Sequence, residues 1–139
     1  MTKIQFLLLS TISLAVSCGS IKSKTQNESF NLESTKWQAE QLNGEAIESV
    51  DERFTLSFNT DGKISGKGAC NILFGSYTSN TDGTFSISPL GVTRTACPDM
   101  DIETQYIRAL ESTTSYSVIE DQLLLLNGDE VIIKFSLFE

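Results

Sequence analysis

Three Asx-Gly pairs punctuate the middle and end of this chain: Asp61-Gly62, Asp82-Gly83 and Asn127-Gly128. Each sits between short apolar runs. Such pairs supply the left-handed backbone of tight hairpins, so the runs on either side are expected to fold back as antiparallel strands. Phe54, Leu56 and Phe58 alternate with Thr55 and Ser57 as a half-buried strand, and the next runs from Lys63 to Gly68. Ile72 to Ser79, Thr84 to Ser88 and Val92 to Thr95 follow, with Pro89 and Gly91 breaking the pattern between the last two. Tyr116 and Val118, Leu123 to Leu126 and Val131 to Leu137 complete the series, with Trp37 a core residue upstream.

One segment has the other periodicity. Pro98, Asp99, Asp101 and Glu103 suit a helix start, where carboxylates meet free N–H groups and the positive end of the dipole. Ile102, Tyr106, Ala109 and Leu110 then recur at helical spacing, predicting an amphipathic helix of about three turns that lies on or plugs the sheet. No crossover helices separate the strands. The fold class is therefore mainly β: a small antiparallel β-barrel or strongly curled sheet of about eight strands, with one helix.

The N-terminus reads as an export signal. Ile4 to Val16 is mostly apolar, follows Lys3 and ends in Ala15-Val16-Ser17-Cys18. That run is shorter than the roughly 20 residues of a membrane span. Residues 1–17 are thus expected to be cleaved, and Cys18 becomes the candidate lipidation site; an ordinary cleaved signal with an incidental cysteine is the alternative. Residues 18–31 are polar and form a tether, and 32–139 form one domain.

With Lys3 gone, nine basic side chains face eighteen acidic ones, a formal charge of −9, so nucleic acid is not an expected partner. Histidine is absent, which removes the usual general base, the Ser/His and Cys/His pairs and the commonest transition-metal ligand. Asp99, Asp101 and Glu103 are read as helix-capping acids, because the segment lacks the glycine and distal glutamate of a calcium loop. No catalytic residue, metal site or cofactor is assigned. Arg94 is expected to pair with one of the acids, with binding of a carboxylate or phosphate as the alternative. Cys70 and Cys97 remain as an even pair in an oxidising compartment, and a disulfide is the default expectation. A free, reactive Cys70 activated by Lys67 or Arg94 is the alternative.

Two stretches stand apart: Gly66 to Tyr77 (GKGACNILFGSY) and Thr93 to Pro98 (TRTACP). Gly66, Gly68 and Gly75 within strands suggest a bent strand with a crowded neighbour. With Trp37, Leu42 and Asn43-Gly44 upstream and the helix downstream, these stretches resemble the META domain family, which includes the heat-shock protein HslJ. The matching positions are Gly66, Cys70, Asn71, Gly75, Tyr77, Thr93, Ala96 and Cys97. Ala69 stands where the family usually has glycine, and Thr95 where it usually has methionine. The resemblance implies a barrel-like domain with one helix, found in envelope proteins, linked to stress or drug tolerance and in some members to secretion, without an established catalytic activity.

The expected function is that of a non-enzymatic lipoprotein, anchored to a bacterial membrane, more specifically the outer membrane, and acting in stress tolerance or assembly through an envelope protein partner. A carrier of a small apolar ligand, an accessory similar to secretin pilot lipoproteins, and a thiol enzyme using Cys70 and Cys97 are the alternatives.

Overall fold

The computed structural model describes residues 32–138. The signal segment, Cys18 and the tether lie outside the described residues. Ten strands and one helix follow in order: β1 (Thr35–Leu42), β2 (Glu45–Ala46), β3 (Thr55–Phe58), β4 (Lys63–Lys67), β5 (Ile72–Ser79), β6 (Phe85–Ile87), β7 (Gly91–Val92), α1 (Met100–Glu111), β8 (Ser115–Ile119), β9 (Gln122–Asn127) and β10 (Glu130–Leu137).

Eight of the strands form one antiparallel path, β6-β5-β4-β3-β1-β10-β9-β8, with β2 beside β1 and β7 beside β5. The path curls into a nearly closed barrel whose seam lies between β6 and β8. A hydrogen bond from Phe85 N–H to the Thr114 carbonyl (3.0 Å) and an edge-on contact of Phe85 with Tyr116 (5.1 Å between ring centres) bridge that seam. Register shifts on β1 at Ala39/Gln41 and on β10 at Val131/Ile133 add the local twist that closure needs. The expected glycine turns are present, with φ of +73° at Gly62, +87° at Gly83 and +59° at Gly128.

Alternation places Trp37 and Ala39, Leu56 and Phe58, Ile64, Leu73, Leu123 and Leu125, and Ile133 and Phe135 inside. The helix adds Tyr106, Ala109 and Leu110, and packs on β10 and β6. Tyr106 is fully buried, meets Phe54 edge-on (5.4 Å) and Phe135 (6.4 Å), and donates its hydroxyl to the Thr55 carbonyl (3.4 Å). Large side chains thus fill the barrel axis.

Two strand expectations need correction. β3 begins at Thr55, because Phe54 takes a left-handed φ of +55° at the end of a turn that also holds Asp51 and Glu52 at positive φ. Thr55 is buried too, its hydroxyl donating to the Glu52 carbonyl. The strand expected over Val92 to Thr95 is only Gly91–Val92, because β5 begins at Ile72 and offers no backbone partner beyond it. Tyr106→Ala should cost about 3 to 5 kcal/mol, the range for deleting a large buried ring, and Tyr106→Phe about 1 kcal/mol; denaturant unfolding checks both.

A candidate binding groove held by a buried carboxylate

Glu103 lies in the first helical turn, yet it is 1% exposed. It stands three residues before Tyr106 and seven before Leu110, on the buried stripe of α1, so its carboxylate meets the turn between β4 and β5. That turn is closed by a hydrogen bond from Gly68 N–H to the Asn71 carbonyl (2.7 Å). Glu103 Oε2 accepts from the backbone N–H groups of Cys70 (2.8 Å) and Asn71 (3.0 Å), and Oε1 accepts from Asn71 Nδ2 (2.6 Å). Burial opposes the charge, but the bonds from the Asn71 side chain and from the backbone N–H groups of Cys70 and Asn71 outweigh it, so the carboxyl titrates below its ordinary range.

The acceptor-only carboxylate sets the Asn71 amide. Nδ2, committed to Glu103, also donates to the Thr95 carbonyl (3.1 Å), while Oδ1 accepts from Thr95 N–H (2.6 Å) and the Thr93 hydroxyl (3.0 Å). One side chain therefore stands in for the strand that β7 lacks beyond Val92. It holds residues 93–95 against the start of β5, where Thr93 N–H donates to the Ile72 carbonyl (3.1 Å) and Ile72 N–H to the Thr93 hydroxyl (3.0 Å). The Cys70–Cys97 disulfide, with Cα atoms 6.4 Å apart, ties the same turn to the segment leading into α1.

Between this segment and α1 lies a groove of about 560 Å³. Leu90, Val92 and Ala96 line one wall, Met100, Thr104 and Ile107 the other, and Asn71 and Glu103 the floor. Its size falls within the ~300–1,000 Å³ of ordinary ligand sites. Arg94, also in the lining, makes no ion pair among the described residues, contrary to the expectation of an acidic partner.

Cys70, Asn71, Thr93, Ala96 and Cys97 come together here. Gly66, Gly75 and Tyr77 do not; they serve the sheet. A Cβ on Gly66 would overlap the Thr55 carbonyl, and one on Gly75 would approach Leu90 Cδ2 to 2.8 Å. The Tyr77 ring packs on Phe58 (5.1 Å) and Phe85 (5.8 Å). Gly68 belongs to the site, since a Cβ there would lie 2.6 Å from Glu103 Oε2. Ala69 has no positive φ, so the alanine fits without backbone strain. Thr95 contributes its backbone and leaves its side chain exposed, so its hydroxyl replaces no buried apolar contact.

Asp101 lies in the first turn of α1 as expected, but the other two acids expected at the helix start have other partners. Asp99, at the N-cap, makes no side-chain cap bond and pairs with Arg53 (2.6 Å), whereas Glu103 is the floor of the groove. Sequence reasoning missed Glu103 because it counted the acid with its neighbours rather than with the stripe of Tyr106 and Leu110. Among the described residues, no three His, Cys, Asp or Glu side chains are placed to share a metal.

Glu103→Gln puts an amide donor against Asn71 and should cost about 2 to 4 kcal/mol at neutral pH. Because the folded pKa is depressed, the ionised Glu103 contributes stability that is complete above its unfolded pKa of about 4.3 and is lost as pH falls through the lower folded value. Unfolding titrations should therefore show an acid-dependent component below about pH 4.3 that Glu103→Gln removes.

The fold is shared with solved structures. A solution structure of a protein from Burkholderia xenovorans is 30% identical and superposes with a TM-score of 0.62, over 77% of this chain and 83% of that one. A DUF4847 family protein from Bacteroides vulgatus is 20% identical with a TM-score of 0.56, over 76% of this chain and 94% of that one. A further solution structure, 21% identical, superposes with a TM-score of 0.60, over 74% of this chain and 88% of the other. The last two are similar in fold. No curated protein matches the chain. A family model for the META domain matches residues 30–137, and the chain belongs to the META domain family.

Proposed function

We propose that the protein is a non-enzymatic lipoprotein of the bacterial envelope, held at the membrane through Cys18, with the outer membrane as the favoured site, and working through protein contacts made at the groove. The observation that carries the reading is the groove itself: a recess of ligand size whose wall and floor are held by Asn71 and Glu103. The lipobox-like Ala15-Val16-Ser17-Cys18, the polar tether and the lack of histidine support it. A contribution to stress tolerance or to assembly, including secretion-channel assembly, is the finer form that the family suggests.

The apolar lining from Leu90, Val92, Met100 and Ile107 favours a second reading, the carriage of a small apolar ligand. The seat is then this groove, since the barrel axis is filled. The thiol-enzyme reading has Cys70 and Cys97 joined in a disulfide in its disfavour. Closing a loop with a sequence separation of 27 contributes about 3.5 kcal/mol in the chain-entropy account.

A photocrosslinking side chain at exposed Thr104, on the groove, should capture the same protein reproducibly in intact cells, while one at exposed Glu130 should not. Failure to recover any adduct specific to Thr104 contradicts the partner reading. Excess mass that the gently extracted protein loses on denaturation would turn it toward the ligand carrier. In parallel, Cys70→Ser should lower stability by about 2 to 5 kcal/mol and abolish no exchange activity; an exchange activity lost with unchanged melting would establish the thiol enzyme.

A further inference from the structure

The groove wall formed by residues 92–96 has a free backbone edge. On its β5 side the ladder is complete: Phe74 pairs with Gly91, Leu73 with Val92, Thr93 N–H reaches the Ile72 carbonyl, and Asn71 takes both backbone groups of Thr95. In an antiparallel ladder alternate residues turn their N–H and C=O to opposite sides. With Thr93 and Thr95 facing β5, Val92 and Arg94 present theirs on the other side, and no hydrogen bond among the described residues uses either backbone. Val92 and Arg94 also line the groove. An unpaired edge of this kind is a template for an added strand.

The surroundings specify what that strand carries. Arg94 is exposed and has no acidic partner among the described residues. Three acids around the groove are engaged: Glu103 with Cys70 and Asn71, Asp99 with Arg53, and Glu111 with the Leu90 N–H (2.8 Å). What sets Arg94 apart is its place in the groove lining, where its planar guanidinium complements a carboxylate. Across the groove, Met100 and Ile107 offer apolar contact to the side chains of an extended segment.

Resting on the partner reading above, we infer that the groove binds an extended peptide segment of the partner, which adds as a strand to the 92–96 edge and sets an acidic side chain against Arg94. Backbone pairing supplies the shared part of the affinity and the Arg94 contact the selectivity. No covalent step is involved.

The test uses the isotope-labelled mature chain in detergent and two pools of blocked hexapeptides. Both vary among Val, Ile, Leu and Thr, one with a fixed central Glu and the other with a fixed central Lys. The Glu pool should shift the amide resonances of Val92 and Arg94 and slow their exchange, and the Lys pool should bind about tenfold more weakly. Arg94→Glu should invert that preference. Val92→Pro, which removes the donor facing away from β5 together with a side chain that packs on the core, should weaken the Glu pool about tenfold or more, whereas Val92→Ala, which loses the same packing but keeps the donor, should weaken it much less. Neither pool moving these two amides, shifts confined to other residues, or an unchanged preference in Arg94→Glu overturns the inference. Crosslinking at Thr104 that succeeds alongside such a result leaves the partner reading standing without strand addition.

Discussion

A single carboxylate, buried on the inner stripe of a helix, organises the part of this barrel that is not sheet. Glu103 has no cation beside it among the described residues; its charge is held by two backbone N–H groups and one side-chain amide. Leaving such a charge without donors costs several kcal/mol, and leaving its donors without an acceptor costs about 1 to 3 kcal/mol each. Helix and turn are therefore bound to one another: neither can shift without exposing the other's unmet polar groups. The disulfide between Cys70 and Cys97 reinforces the same junction, and Gly68 leaves room for the carboxylate to reach it.

The consequence for function runs through Asn71. An amide has two donors and an acceptor with two sites, and here all are used, two toward the Thr95 backbone, one toward Thr93 and one toward Glu103. Because Glu103 accepts only, the amide has one orientation, and that orientation fits the alternation of donor and acceptor on Thr95. The chain after β7 is thus kept extended without a strand beside it, and its outer edge stays open toward α1.

Much of the fold was legible in sequence because turns and alternation report local geometry directly. Asp61-Gly62, Asp82-Gly83 and Asn127-Gly128 all lie at hairpins, and Tyr106 and Leu110 face the core as their spacing requires. Strand ends were less legible. Phe54 leaves the expected alternation through a left-handed φ that no local pattern announces, and Thr95 leaves its expected strand because a side chain replaces the partner. The site was half visible: Cys70, Asn71, Thr93, Ala96 and Cys97 stood out in two stretches of sequence, but their common anchor did not. Glu103 looked like a capping acid beside Asp99 and Asp101, and only its register with Tyr106 and Leu110 marked it as inward-facing. Arg94 appeared destined for an ion pair by the excess of acids, yet net charge says nothing about which acids lie within reach.

Glu103 and Asn71 act as one unit that positions residues 93–95, and a double-mutant cycle measures that directly. Stability of Asn71→Ala, Glu103→Gln and the pair should reveal a coupling of about 1.5 to 3 kcal/mol, with the Thr95 amide losing its exchange protection in each single variant. Additive effects within about 0.5 kcal/mol, or a Thr95 amide still protected without Asn71, would contradict it.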